Sequence, residues 1–214
     1  MEPVRRIFKV VNGGTPNSDE TNWGGEIEWA TPADFGANFS PMSSTRRTIT
    51  AAGLKSGSTL VPRETILLST RAPIGYVALT SRETAFNQGC RALLSHMKAD
   101  VRFYGYQLEA RHDELQALGL GTTFIELSSD SLAAFPLYTC PIERQRRIAD
   151  FLDAETARID RAGNLQKKIL ATLEEREQAH LDIAIDDLVE ECGSAPLRRF
   201  VWRVDQGEIG RAHV

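Results

Sequence analysis

Lysine is scarce in this chain: Lys9, Lys55, Lys98, Lys167 and Lys168 are the full set, and none follows a glycine. A phosphate-cradling G-x-x-x-x-G-K-[ST] loop is therefore excluded. None of the five stands two residues after an Asp or Glu, which removes the D/E-x-K half of a common nuclease core. No H-E-x-x-H and no G-x-S-x-G is present, and His96, His112, His180 and His213 stand far apart. Neither a metal centre nor an elbow nucleophile is expected. Cysteine is as sparse: Cys90, Cys140 and Cys192 are odd in number and in no metal spacing, which fits a reducing cytoplasm. No window approaches 18 apolar residues, and the opening Met-Glu-Pro-Val-Arg-Arg lacks the apolar core of a signal peptide. The expectation is a cytoplasmic protein with no membrane partner, no metal or other cofactor, and no catalytic machinery of its own.

What is present suffices for a folded domain. Hydrophobic residues make up 42% of the 214 and charged residues 25%, a globular composition. The net charge of −4 is unevenly placed. Residues 1–140 carry 13 Lys+Arg against 14 Asp+Glu, a net of −1; residues 141–192 carry 8 against 13, a net of −5; residues 193–214 carry 4 against 2. A near-neutral first part argues against strong nonspecific attraction to nucleic acid.

The acidic stretch is also the most regular. From Pro141, suited to a first helical position, a helix is predicted to run to about Glu191. Alternating steps of four and three residues collect Ile148, Leu152, Glu155, Ile159, Ala162, Gln166, Ile169, Leu173, Arg176, His180 and Ile183. Seven of these eleven are apolar, a seam closer to a coiled-coil stripe than to a globular core face. At 1.5 Å per residue such a helix spans roughly 75 Å. Gly163-Asn164 is its one weak point, at a cost of about 1 kcal/mol relative to alanine. Two readings follow: a helix folded back on its own domain, or a spacer that pairs with a partner helix through Ile148, Leu152, Ile159, Ile169, Leu173 and Ile183.

Residues 1–140 read as a mixed α/β domain. Val4–Val11 is a strand or short amphipathic opener, closed by the turn cluster Asn12-Gly13-Gly14-Thr15-Pro16. Glu26–Ala30 alternates like a strand, and Thr31 or Asp34 is placed to cap a helical turn. Thr65–Thr70, Tyr76–Thr80 and the run ending at Leu94 read as buried strands. Arg102–Leu118 has helical spacing, ended by Gly119 and Gly121, and Ser128–Leu132 is a short capped turn. Beyond the helix, Leu197–Gly207 aligns with Val4–Gly14 at an offset of 193, with Arg198, Arg199, Val204 and Gly207 matching Arg5, Arg6, Val11 and Gly14. The chain is expected to begin its first domain a second time. Glu208–Val214 matches the translation of a common sequencing adaptor and is expected to be an artefact.

The ordered blocks carry a more specific signal. Gly13-Gly14-Thr15-Pro16 is followed by Trp23-Gly24-Gly25-Glu26-Ile27-Glu28-Trp29-Ala30-Thr31-Pro32-Ala33-Asp34 and then Ile49-Thr50-Ala51-Ala52-Gly53-Leu54. Next come Leu67–Gly75, Phe86-Asn87-Gln88-Gly89-Cys90, Gly121-Thr122-Thr123-Phe124, and Pro141–Ala149 leading into the helix. In this order they resemble the target-recognition domain and helix of a type I restriction–modification specificity subunit. The family usually has Pro-Pro and Glu-Gln where this chain has Cys140-Pro141 and Arg144-Gln145. The resemblance implies a target-recognition domain over 1–140 and a conserved spacer or dimerisation helix over 141–192. A second recognition domain would begin at 193–207, before the adaptor-like 208–214. It further implies a non-catalytic subunit, used in defence against foreign DNA, that reads one half of a bipartite double-stranded DNA site. Modification subunits would dock on it and methylate adenine with S-adenosylmethionine. Restriction subunits would join through them, and the helix would pair with a second recognition domain's helix or with another copy of the chain. The alternative is a coiled-coil module that binds only proteins.

In that family the base-reading positions vary, so the motifs do not locate them. By side-chain chemistry arginine suits guanine, and asparagine or glutamine suits adenine. The candidates are Arg46 and Arg47 in a polar loop, Thr70 and Arg71 leaving a strand, and Asn87 and Gln88 on a turn, with Lys55 and Arg91 for phosphates. Trp23 and Trp29 are expected to be core or loop anchors.

Overall fold

Apolar runs without alternation fix the layering, because a strand sends successive side chains to opposite faces and such a run must be covered on both. The computed structural model describes residues 1–71, 73–119 and 126–193, with the backbone pairing of 204–205 and 208–209. Two compact units result, Met1–Ala154 and Glu155–Val214.

In the first unit β1 (Glu2–Pro3) leads into one helical turn, α1 (Val4–Ile7), and then β2 (Phe8–Asn12). The opener thus takes both of its expected forms: Val4 and Ile7, three apart, fall on one side of the turn and are buried. β3 (Trp23–Ala30), β4 (Pro41–Met42), β5 (Thr48–Ile49), a short helix α2 (Ala51–Lys55) and β6 (Thr59–Val61) follow. Next are β7 (Ile66–Ser69), β8 (Val77–Thr80), β9 (Thr84–Phe86) and β10 (Cys90–Ser95). Three helices, α3 (Val101–Ala110), α4 (His112–Ala117) and α5 (Ser129–Ala134), precede β11 (Pro136–Leu137) and the long helix α6 (Ile142–Cys192). The spacing that predicted one helix over 102–118 is therefore split at Arg111, whose ψ of 28° leaves the helical region. There its guanidinium lies 4.2 Å over the Phe135 ring and binds Glu114.

Five strands form one sheet in the order β2-β10-β7-β8-β4, antiparallel except for β8 with β4. Four form another, β5-β3-β9-β6, antiparallel except for β3 with β9, and β1 pairs with β11. Ile66, Leu68, Val77, Leu79 and Leu93 enter a core with Phe103, Tyr104, Leu108 and Leu115 of the helices. Their alternates Leu67, Ala78 and Ala92 enter a second core with Ala30, Val61 and Phe86 of the smaller sheet. Neighbouring residues of one strand thus serve two layers. Gly105 shows how tightly the helical layer sits, since a Cβ there would lie 2.1 Å from the Phe39 ring.

The start of α6 belongs to this unit. Gln145 is buried, its Oε1 accepting from the Asp100 N–H (3.0 Å) and its Nε2 donating to the Cys140 carbonyl (2.8 Å) and the Tyr104 hydroxyl (3.3 Å). Burial raises the Tyr104 phenol above its ordinary value, opposed by the Thr139 hydroxyl, so it stays neutral. Around this amide, Asp100 caps α3 while Arg102 binds Asp100, Asp150 and Asp153. The Asp100 hydrogen bond leads in raising the Arg102 guanidinium further above its ordinary value, against the cost of burial. Tyr106 adds a hydrogen bond to Asp153 (2.7 Å). Ile148 packs against the helical core and Ala149 is buried within it. This corrects the expectation that Ile148 faces a partner helix: its place in the seam is taken up by its own domain.

In the second unit α6 continues without interruption through Gly163 to Cys192. Ile159, Ile169, Leu173 and Ile183 are exposed there, as are Leu165, Leu170, Leu181 and Leu188. Gly193 closes the helix at φ +74°, its N–H donating to the Val189 carbonyl at 2.8 Å. The expectations of a second domain's opening and an adaptor-derived tail lie outside the described residues, apart from the pairing of Val204–Asp205 with Glu208–Ile209.

The buried amide supplies a test of this docking. Gln145→Leu keeps the volume but leaves the Asp100 N–H, the Cys140 carbonyl and the Tyr104 hydroxyl without their partner. A loss of about 2–4 kcal/mol in urea unfolding is expected. An unchanged midpoint would show that packing alone holds the helix.

Candidate nucleic-acid interface

The Gly13–Pro16 and Phe86–Cys90 motifs lie against one another. The Gly14 N–H donates to the Phe86 carbonyl (2.9 Å), and the Gly14 carbonyl accepts from Trp29 Nε1 and Ser58 Oγ, both at 3.1 Å. A Cβ on Gly13 would lie 2.1 Å from the Asn87 carbonyl oxygen, and one on Gly14 2.0 Å from that of Gly57. Only backbone fits there. Across this contact Thr15 Oγ1 donates to Gln88 Oε1. Asn87 closes its own turn, Oδ1 accepting from the Gly89 N–H at 3.0 Å.

Several candidate readers prove to be part of the scaffold. Thr70 is fully buried, its N–H (2.8 Å) and hydroxyl (3.2 Å) both donating to the Gly89 carbonyl. It has no surface to offer a base, which corrects its candidacy. The Arg91 side chain is 12% exposed. Its Nε donates to Ser129 Oγ (2.9 Å), its Nη1 to the Gln88 and Cys90 carbonyls, and its Nη2 to Glu126 (3.1 Å). Those bonds use the donors a phosphate would need. Arg71 shares Glu126, its Nε donating at 3.1 Å, but stays half-exposed. Gln88 is exposed at the same end.

The remaining cations lie on one segment bordering β5, an outer strand of the four-stranded sheet. Arg46 is 75% exposed and reaches Asp34 only at 3.9 Å, while its backbone N–H is fixed by the same carboxylate at 2.8 Å. Lys55 is exposed in the last turn of α2. Arg47 is exposed as well, but ordered: its guanidinium carbon lies 3.6 Å from the centroid of the Trp23 ring and 5.6 Å from that of Trp29. The two indoles meet edge to face at 5.0 Å, each pinned by its N–H, Trp23 to the Asn17 carbonyl and Trp29 to that of Gly14. Trp29 is a core anchor as expected, whereas half-buried Trp23 is a platform for an arginine.

Two features escaped the sequence reading. Glu126, which joins Arg71 to Arg91, is a lone acid beside the Gly121–Phe124 block, which lies outside the described residues. Ser95-His96-Met97-Lys98 has the S-x-x-K spacing of an acyl-transfer nucleophile. Here Ser95 Oγ donates to the Met97 carbonyl (2.7 Å) in a turn closing β10, rather than sitting on a helix beside the lysine. Both line a groove of about 690 Å³ with Arg63, Arg102 and Arg146. Among the described residues no group of three or more His, Cys, Asp or Glu is placed to hold a metal ion, and no helix is long and apolar enough to cross a membrane.

Residues 4–175 match the family described as the type I restriction modification DNA specificity domain. The specificity subunit of the type I restriction enzyme MjaIX from Methanocaldococcus jannaschii is 33% identical over 159 residues, 71% of this chain and 36% of that one. In fold the chain is similar to the HsdS subunit from Thermoanaerobacter tengcongensis (TM-score 0.63, 22% identity, 84% of this chain and 43% of that one). A chain from a structural study of complex assembly and conformational transition of the type I R-M system gives a TM-score of 0.70 at 24% identity, covering 84% of this chain and 44% of that one. The chain thus spans about a third of the length of the curated relatives it matches.

The division between scaffold and exposed cations is measurable. Arg91→Ala, which removes the hydrogen bonds to Ser129, Glu126 and the Gln88 and Cys90 carbonyls, is expected to cost about 1–3 kcal/mol of stability. Lys55→Ala should fall within about 0.5 kcal/mol of wild type. Equal unfolding midpoints for the two variants would remove the distinction.

Proposed function

The chain belongs to the type I restriction–modification DNA specificity family, and on that premise we propose that it recognises one half of a bipartite site in double-stranded DNA. The observation that carries this is the family match over 4–175, which takes in nearly all of the first unit and the helix as far as residue 175. The exposed cations Arg46, Arg47 and Lys55 on one segment support it, as do exposed Gln88 and half-exposed Arg71. Residues 1–140 act as the recognition domain and 141–192 as the spacer. Phosphate contacts fix the register and base contacts supply the sequence preference.

The chain catalyses neither methylation nor cleavage in this reading. Modification subunits dock on it and methylate adenine, and restriction subunits join through them. Exposed Ile159, Ile169, Leu173 and Ile183, with Leu152 at the same spacing, take a partner helix from a second recognition domain or a second copy. A cytoplasmic setting follows from the same assignment.

The near-neutral charge of residues 1–140, a net of −1, favours one rival: a helical module that binds only proteins. Fluorescence anisotropy of the full chain with a mixed-sequence duplex separates the two. Affinity should fall as salt rises from about 50 to 200 mM, with a log–log slope near −0.9 per phosphate neutralised. Arg46→Ala or Lys55→Ala should each make that slope shallower by about one. No binding at the lowest salt would leave the helical module standing.

A further inference from the structure

The cations of the proposed DNA face are not equivalent, and one is built to a specification the others lack. A flexible arginine loses side-chain freedom whenever it is fixed in one plane against a partner. At Arg47 that plane is already set. Its guanidinium carbon lies 3.6 Å over the Trp23 ring centroid and 5.6 Å from that of Trp29, which meets Trp23 edge to face. Both indoles are held by N–H bonds to backbone carbonyls, and the backbone beneath is tied too: the Arg47 carbonyl accepts from the Trp29 N–H (3.1 Å) and from Thr45 Oγ1 (2.6 Å). Thr45 is in turn fixed by Glu28, which accepts from its backbone N–H (2.8 Å). Yet the five N–H groups of the guanidinium make no hydrogen bond or ion pair among the described residues. The face is occupied and the donor edge is free.

Such an edge presents parallel N–H groups in a fixed fork. Among the four base pairs, guanine offers two adjacent acceptors, O6 and N7, on its major-groove edge. Arg46 next door has no platform, and Arg91 has spent its donors inside the domain. We infer that Arg47, held by Trp23 against Trp29, is a base-reading residue that selects guanine in the major groove. The inference rests on the DNA-recognition reading above and assigns it one side chain and one base.

Its test uses the full chain and a pool of duplexes carrying a random segment, with the bound fraction sequenced. Wild type should enrich a motif containing a fixed G·C pair. In Arg47→Ala that one position should lose between about 5-fold and about 150-fold of its preference while the other positions keep theirs. Arg47→Lys retains the charge but not the fork, and should lose the same position while its salt dependence stays that of wild type. Trp23→Leu, which removes the platform and leaves the arginine, should weaken that position partially, with thermal unfolding recorded alongside. A wild-type motif preserved at every position in Arg47→Ala, or weakened uniformly, overturns the assignment and leaves DNA recognition intact. A wild-type pool with no enrichment overturns both.

Discussion

One buried side-chain amide sets where the long helix begins. Gln145 meets an N–H from the cap of α3, a carbonyl from the segment before α6 and the hydroxyl of Tyr104, so one side chain ties three separate segments together. Because an amide donates and accepts in fixed directions, it specifies rotation as well as position, which apolar packing tolerates loosely. Arg102, bound to Asp100 on its own side and to Asp150 and Asp153 on α6, reinforces the same register. Ile148 and Ala149 then complete the core that the amide has aligned. The first turns of α6 are therefore the last layer of the domain as much as the start of a long helix.

The scaffold leaves its exposed polar groups at the margins. Strands apolar on both faces are consumed by the two cores, so β7 and β8 have no side chain to spare for a ligand. What remains lies on the loops and outer strands: the Thr15–Gln88 contact, Arg71 at Glu126, and the 46–55 segment beside β5. This separation lets exposed positions change without disturbing the fold. It also explains why motif residues such as Thr70 and Arg91 serve the architecture instead.

The architecture was more legible than the site. Two-sided apolar runs announced β7, β8 and β10, Pro141 announced α6, and the ordered blocks announced the family. The break at Arg111 was hidden, because a tertiary contact with Phe135 overrides an otherwise continuous helical spacing. Ile148 was misplaced because the seam period cannot distinguish a partner helix from the domain's own core. The Trp23 platform was also out of reach: β3 shifts register so that Trp23 and Ile27 both pair with Ile49, and strand alternation no longer predicts which side chains meet. Glu126 carried no local pattern at all; its role follows only from being brought between two arginines.

The central claim is that this chain selects DNA and leaves the chemistry to others. It is tested most directly by expressing the full chain with the modification subunit from its own genome in an unmethylated host and mapping methyladenine across the host chromosome. The account predicts a new split motif that neither protein produces alone. An unchanged methylation map from an assembled complex would contradict it.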